Sequence, residues 1–422
     1  MTRARIATTA AYAVQGFGFA VVLTSIPGYK ERLGMGDDVV TLVVLGVCVF
    51  AGLGSALSGV VAALRGARAV VVAGLLLAAL AVAGVGLAPS WPVFFVAIGL
   101  YGLALGAVDA AMNMLGIDVE RAHGRSLLAS FYAANAAGGV LGALAVSGSA
   151  LVGLDQPVAL PLVALLVAAG AVWLALRLPD GGATAHGAVT PVGVVDDVRD
   201  VAPTGSVAWV AAGTIALLGA GMLAFPVADS AVSSWSATFL RDVLAASAAA
   251  APLGYAAYQA ALIVSRLVGD GLVERLGRVR VVRLGGTLGA LGFVAVAAAP
   301  AWSVAVLGLA ATGLGLGVVA PLAFSAIGDR AREAVAAGTG SAEPPAGFVA
   351  TVTDRAVARL NVFTYAGAVL GGVLTGIFAT AHHLRVGFVV LAVLAAVSAM
   401  LAGAFRPARV ALVGVSEATP PA

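Results

Sequence analysis

Charge is the first thing this chain lacks. Of 422 residues only 10% are Asp, Glu, Lys or Arg, while 61% are apolar, and the mean hydropathy is +1.06. A soluble domain carries about 25% charged residues, so a chain this poor in charge could not cover its surface in water. That excludes a soluble enzyme, a nucleic-acid binder and a disordered protein. Cysteine is nearly absent as well. Cys48 stands alone, which leaves no intramolecular disulfide and no multi-cysteine metal site. Lysine is reduced to Lys30 among 23 basic residues, the bias of a GC-rich bacterial genome rather than a mechanism. The four histidines, His123, His186, His382 and His383, all fall in expected loops, and the adjacent pair has no zinc-site company. No glycine-rich phosphate loop with its lysine exists, so ATP-driven transport by this chain is not expected. No metal and no cofactor is expected.

Long apolar runs are what the chain has instead. A transmembrane helix needs roughly 20 apolar residues, and reading between charged breaks gives twelve such spans. They lie near 6–27, 39–64, 69–88, 91–116, 127–153 and 156–178, then 207–228, 248–268, 281–300, 302–327, 360–380 and 384–405. The seventh can slide either way, because Asp229 is the only charge between Asp200 and Arg241. The runs lack the period-2 alternation of barrel strands and are too long for them. The first run exceeds the roughly 7–15 residues of a signal-peptide core and reads as a signal-anchor helix. Glycine, at 55 residues, is about twice its usual ~7%, which suits helices packed closely in lipid.

Orientation follows from the placement of arginine. With twelve spans and the N-terminus inside, 19 of the 23 basic residues fall on one side, and only Lys30, Arg32, Arg241 and Arg385 on the other. The positive-inside rule then puts both termini in the cytoplasm, in the inner membrane of a bacterium.

The sequence also repeats. Ala88-Pro89-Ser90-Trp91-Pro92-Val93 returns as Ala299-Pro300-Ala301-Trp302-Ser303-Val304, an offset of 211 that carries Gly102, Gly106 and Gly66 onto Gly313, Gly317 and Gly277. Gly138-Gly139-Val140-Leu141-Gly142 matches Gly367-Ala368-Val369-Leu370-Gly371 at an offset of 229. The expected organisation is a six-helix half over 1–178, a cytoplasmic linker over 179–206, and a second six-helix half with a short tail over 207–422.

Large polar side chains are unevenly spread. Spans 3, 6, 9 and 12 hold almost none in their interiors, so they can face lipid, where an unpaired polar group costs several kcal/mol. Gln15, Asn113, Asn135, Trp235, Tyr255, Tyr258, Gln259, Asn361 and Tyr365 sit on the other spans and are the candidates for lining a substrate cavity. Aromatic faces with a few amides suit a neutral or amphipathic small molecule; the competing reading is helix–helix hydrogen bonding, worth about 0.6 kcal/mol on average in membranes.

Two carboxyls are candidates for proton coupling. Asp109 shares a stripe of span 4 with Gly102, Gly106, Asn113 and Glu120, and its repeat position is Ala320. The glycines repeat and the acid does not, so helix packing does not require it, and an intramembrane carboxyl reads by default as functional. A capping or pairing role near the cytoplasmic edge is the alternative. Asp229 either marks the outer end of span 7 or, if that helix continues through Trp235, faces the cavity.

Between spans 8 and 9 the chain reads Asp270-Gly271-Leu272-Val273-Glu274-Arg275-Leu276-Gly277-Arg278-Val279-Arg280. This resembles the major facilitator superfamily signature G-x-L-x-D-R-x-G-R-x-R, with Asp270 at the first Gly and Glu274 at the Asp. The first-half copy, Gly59 to Arg68, keeps only Gly66 and a nearby Arg68. Asp109-Ala110-Ala111-Met112-Asn113, Trp235-Ser236-Ala237 and Arg266-Leu267-Val268-Gly269-Asp270 are similar to a bacterial branch typified by the inner membrane protein YbjJ.

The resemblance implies an all-α membrane fold of two parallel six-helix repeats, with Arg266, Asp270, Glu274, Arg275, Gly277 and Arg278 forming a gating motif. The function it implies is secondary active transport of a small organic solute by alternating access, with protons as the expected coupling partner and the lipid bilayer as the surroundings. The alternatives are a proton-antiport exporter of drugs or metabolites and a non-transporting sensor on the same fold. Span 5 lacks the proline of the G-x-x-x-G-P antiporter signature, which disfavours drug efflux.

Overall fold

The computed structural model describes residues 3–123, 127–178, 210–339, 346–377 and 383–406. The linker expected over 179–206 lies outside them, as do the side chains of Asp270, Asn361 and Tyr365. Among the described residues every regular element is helical, and nine helices are long and apolar enough to cross a membrane.

The chain begins with α1 (Arg3–Thr24), a turn at Ser25, and the short α2 (Ile26–Leu33). Next comes α3 (Asp37–Leu87), of 51 residues. At 1.5 Å per residue it would run about 75 Å, more than twice a hydrocarbon core. It is broken at Gly66, where φ is 80° and ψ 154°, and therefore supplies both spans expected over 39–88. Then follow α4 (Trp91–His123), α5 (Leu128–Leu151) and α6 (Gln156–Arg177).

The second set opens with α7 (Ala212–Met222), α8 (Ala224–Thr238) and a π-helical turn Phe239–Val243. These form one apolar stretch of 32 residues. The seventh span thus extends well past the expected end at 228, and Asp229 lies inside it rather than at its boundary. After it come α9 (Leu253–Leu276), α10 (Arg278–Ala298), α11 (Trp302–Leu316), α12 (Val319–Thr339), α13 (Ala346–Ile377) and α14 (Leu384–Met400). Here α13 starts earlier than the expected 360.

Lipid tails are as apolar as leucine, so helices in a membrane are drawn together by close packing at small residues rather than by expulsion of water. A Cβ on Gly138 would collide with the carbonyl of Ala13, and one on Gly371 with the carbonyl of Val227. These glycines let α5 lie on α1 and α13 lie on α8. Gly102 meets Val47 just as Gly313 meets Tyr258, both partners being 211 apart. The internal repeat is thus a repeat of backbone contacts. Between the two sets, α5 packs on α9, α3 on α13, and α1 on α8. The positive φ at Gly66 recurs as 77° at Gly277, so the signature glycine makes the same sharp break in both copies.

The end that holds α2 is tied by long side chains. Arg32 donates to the carbonyls of Val85, at 2.6 Å, and Gly86. Arg385 donates to those of Ala297, at 2.5 Å, and Ala299, at 3.0 Å. Each arginine satisfies the last carbonyls of a helix, where a cation is electrostatically favoured.

Candidate functional site

Two polar groups lie within the bundle, one on each set of helices. The first is built on α1, α4 and α5. Tyr12 donates its hydroxyl proton to Oδ1 of Asn113 at 2.6 Å, and Tyr132 donates to the same oxygen at 2.9 Å. The Asn113 amide donates to the backbone carbonyl of Asp109 at 2.9 Å. Asn135 donates to the carbonyl of Tyr12 at 3.1 Å and to Gln15 Oε1. The Tyr12 ring stacks on Phe131 at 5.4 Å and meets Tyr132 edge-on at 5.5 Å. Three helices thus converge on one amide, and the hydrogen bonds satisfy groups that lipid could not.

Asp109 stands one helical turn from Asn113, within electrostatic reach of Tyr12. Its side chain is accessible although it lies in the interior of α4. No ion pair or side-chain hydrogen bond engages the carboxylate among the described residues.

The second group is built on α8 and α9. Asp229 is half-buried and faces the Arg266 guanidinium and the Tyr258 hydroxyl. Arg266 also lies 5.7 Å over the ring of Phe225, a cation–π geometry. Gln259 donates to the Tyr255 hydroxyl at 2.7 Å, and Ser233 approaches the same hydroxyl. Tyr258 is fully buried and Gln259 nearly so. Even so, neither the Tyr258 hydroxyl nor Gln259 Oε1 completes a hydrogen bond among the described residues. Buried polar atoms are normally satisfied, and the Tyr258 hydroxyl has the Asp229 carboxylate beside it. The groups meet at Gly139 of α5, where an added Cβ would sit 3.1 Å from the Tyr255 hydroxyl.

The expected residues therefore divide. Gln15, Asn113 and Asn135 come together in the first group, and Tyr255, Tyr258 and Gln259 in the second. Trp235 is fully buried, with its indole N–H unpartnered among the described residues, and packs in the protein core instead of lining an open wall. Arg266, expected with the gating loop, joins Asp229 a turn deeper. Glu274, Arg275 and Gly277 are exposed at the end of α9. Arg278 pairs with Asp329 of α12 at 3.0 Å and bonds Ser325 at 2.9 Å.

Asp329 was not singled out from sequence, although it falls 211 residues after Asp118, as Arg332 does after Arg121. Glu120 shares the Asp109 stripe but serves a different end. Its carboxylate accepts from the backbone of Leu127 at 2.7 Å and of Leu128 at 3.1 Å, capping the start of α5. Tyr12 and Tyr132 complete the first group. The sequence hint for Tyr132 is its i, i+3 spacing from Asn135.

Two recesses among the described residues lie elsewhere. One of 840 Å³ sits between α1, α5 and α6 near α2. The other, of 910 Å³, is an apolar groove between α3 and α4. Neither reaches Asp109 or Asp229. Among the described residues no three His, Cys, Asp or Glu side chains gather as a metal site.

Helices that pack in two repeat-related sets, with polar side chains sequestered between them and apolar faces outside, define a multi-pass membrane transporter. The chain belongs to the Major Facilitator Superfamily, whose model matches residues 8–343. It is 28% identical over 392 residues to an uncharacterised MFS-type transporter of Yersinia pestis, covering 92% of each chain. It is 29% identical over 322 residues to an uncharacterised transporter of Sinorhizobium fredii, covering 76% of each. Among solved structures, the nucleoside transporter NupG has the same fold at 15% identity, with a TM-score of 0.66 over 96% of this chain and 99% of that one. An inward-facing bacterial Spinster homologue follows at 14% identity and 0.65, over 94% and 95%. The YbjJ-like branch remains a likeness of three motifs.

Proposed function

We propose that this secondary transporter couples the movement of a small organic solute to protons, with Asp109 as the coupling carboxyl and the two polar groups as the solute site. The observation that carries the reading is Asp109 itself: an accessible carboxylate in the interior of a membrane helix, without a charged partner among the described residues. A carboxyl that must bind and release a proton in each cycle cannot be locked in an ion pair.

Asp229 is the second candidate, with Arg266 as its counter-charge. In this reading the Tyr258 hydroxyl and Gln259 Oε1, buried here, supply a donor and an acceptor once the site opens, and the exposed ring of Tyr132 suits a neutral or amphipathic solute. Asn361 and Tyr365 of α13 belong to the same proposed lining. In this reading residues 1–178 and 207–422 are the two moving halves, joined by 179–206. Both termini are cytoplasmic in the inner membrane, and Asp270, Glu274 and Arg278 fasten the cytoplasmic side when the site faces out.

The test is a thermal-shift screen of the purified protein against nucleosides, sugars, polyols, amino acids and cationic drugs, followed by counterflow of each hit in proteoliposomes. A stabilising solute that also exchanges across the membrane supports the proposal. One that stabilises but never exchanges would replace it with a sensor.

A further inference from the structure

At the end of the bundle that holds α2, two ion pairs join the two sets of helices. Lys30 pairs with Asp242, and Arg241 pairs with Glu31 at 2.8 Å. The carriers are the short helix α2 on one side and the π-helical turn Phe239–Val243 on the other. Their positions obey the internal repeat: Lys30 and Arg241 are 211 apart, and so are Glu31 and Asp242. One basic–acidic dipeptide therefore occurs twice, and the base of each copy reaches the acid of the other. Reciprocal contact of this kind is what a two-fold axis generates, and parallel transporter repeats are related by an axis along the membrane normal. Here the pairs cross that axis.

We infer that the crossed pairs are the outer gate of the transport path, a latch that holds the two halves together on the far side while the site opens to the cytoplasm, and that parts when the site turns outward. This rests on the transporter reading and its orientation.

Three further observations support it. First, the side chains of Lys30 and Asp242 are each 20% exposed, and those of Arg241 and Glu31 31% and 57%. Charges this close to water can separate and rehydrate, whereas a fully buried pair would resist opening. Second, the geometry is pre-set. Arg241 also donates to the carbonyl of Ala246 at 3.0 Å, across Ala245, whose φ of 51° is the one positive value outside glycine among the described residues. Strained non-glycine backbone of that kind clusters at switch regions. Third, α1, α5 and α9 share a separate cluster of only Ala20, Ala143, Tyr255 and Ala256, a thin apolar seal beside which the latch and the bond from Ser147 to the Ala249 carbonyl join the two sets.

The experiment measures thiol labelling of Ala143→Cys, a fully buried reporter, in a full-length Cys48→Ser background. An impermeant maleimide is applied to right-side-out and inside-out vesicles. With the latch intact, labelling is slow. Arg241→Glu should accelerate labelling from the outside about three-fold, and Arg241→Glu with Lys30→Glu about ten-fold. Exchanging the charges in Glu31→Arg with Arg241→Glu should return the rate toward its starting value. If the reversals fold poorly, Glu31→Gln with Asp242→Asn should still give acceleration. Equal rates in every folded variant overturn the gate, and an exchange that does not restore the rate overturns the pairing. Acceleration confined to inside-out vesicles would keep the latch and reverse the orientation. Labelling needs no solute, so failure of the proposed substrate or coupling would leave this result intact.

Discussion

Asp109 and Asp229 are both acids inside membrane helices, yet their surroundings differ enough to separate their roles. Asp109 is accessible, with a tyrosine within reach and no ion-pair partner among the described residues. Asn at that position keeps the shape and most hydrogen bonding but cannot titrate. Asp109→Asn is expected to abolish pH-gradient-driven accumulation while counterflow of the solute continues; accumulation equal to that of the parent would return the residue to a structural role. Asp229 is coupled to Arg266. The two charges are within electrostatic reach without forming a contact ion pair, so removing one costs less than the about 3–5 kcal/mol of breaking a buried contact pair. Asp229→Asn is therefore expected to lower the melting temperature, and Asp229→Asn with Arg266→Gln to recover much of the loss. A melting curve for the single variant that matches the parent would show that the two charges do not depend on each other. Asp109, Asn113 and Asn135 were legible in the sequence because large polar residues are rare where lipid excludes them. Their convergence on Tyr12 and Tyr132 was not, since Tyr12 and Asn113 meet across 101 positions. Trp235 is fully buried, and only packing decides which way such a side chain faces.

Among the elements, the most specific prediction concerns the breaks at Gly66 and Gly277. Both combine φ near 80° with an extended ψ, a region that is essentially glycine's alone and costs other residues about 1–3 kcal/mol. Space is not the obstacle, because nothing lies within 4 Å of a Cβ built at Gly277. Gly277→Ala is expected to destabilise the fold by that amount in thermal melts and to disturb the angle between α9 and α10, whereas Gly271→Ala, a nearby glycine with equal room and no positive φ, should be silent. Equal melting temperatures for the two variants would remove the backbone argument. Most helix positions are readable from hydropathy between charged breaks, and the repeat in the sequence matches Gly66 with Gly277. The seventh span was not readable to its end. Its boundary has no charge to mark it; the turn at Leu223 is the break made by Pro226, which cannot donate to the Met222 carbonyl, and the helix then runs on to a π-helical finish at Phe239–Val243.

For the whole molecule the orientation is the property from which the gate, the linker and the direction of coupling all take their meaning. The positive-inside argument rests on a count, and its four exceptions test it. Lys30 and Arg241 are held by Asp242 and Glu31, and Arg32 and Arg385 by the terminal carbonyls of α3 and α10. Each basic residue expected outside thus has a structural partner that requires it there. Many of those expected inside, such as Glu274's neighbour Arg275, are exposed and free to respond to the membrane's charge asymmetry. Reporter fusions after Gly181 and after Ala422 are therefore expected to read cytoplasmic, and a fusion near Gly36 periplasmic. A periplasmic signal after Gly181 would mean an odd number of crossings before the linker. The crossed ion pairs would then no longer share a face with the entrance they are proposed to close.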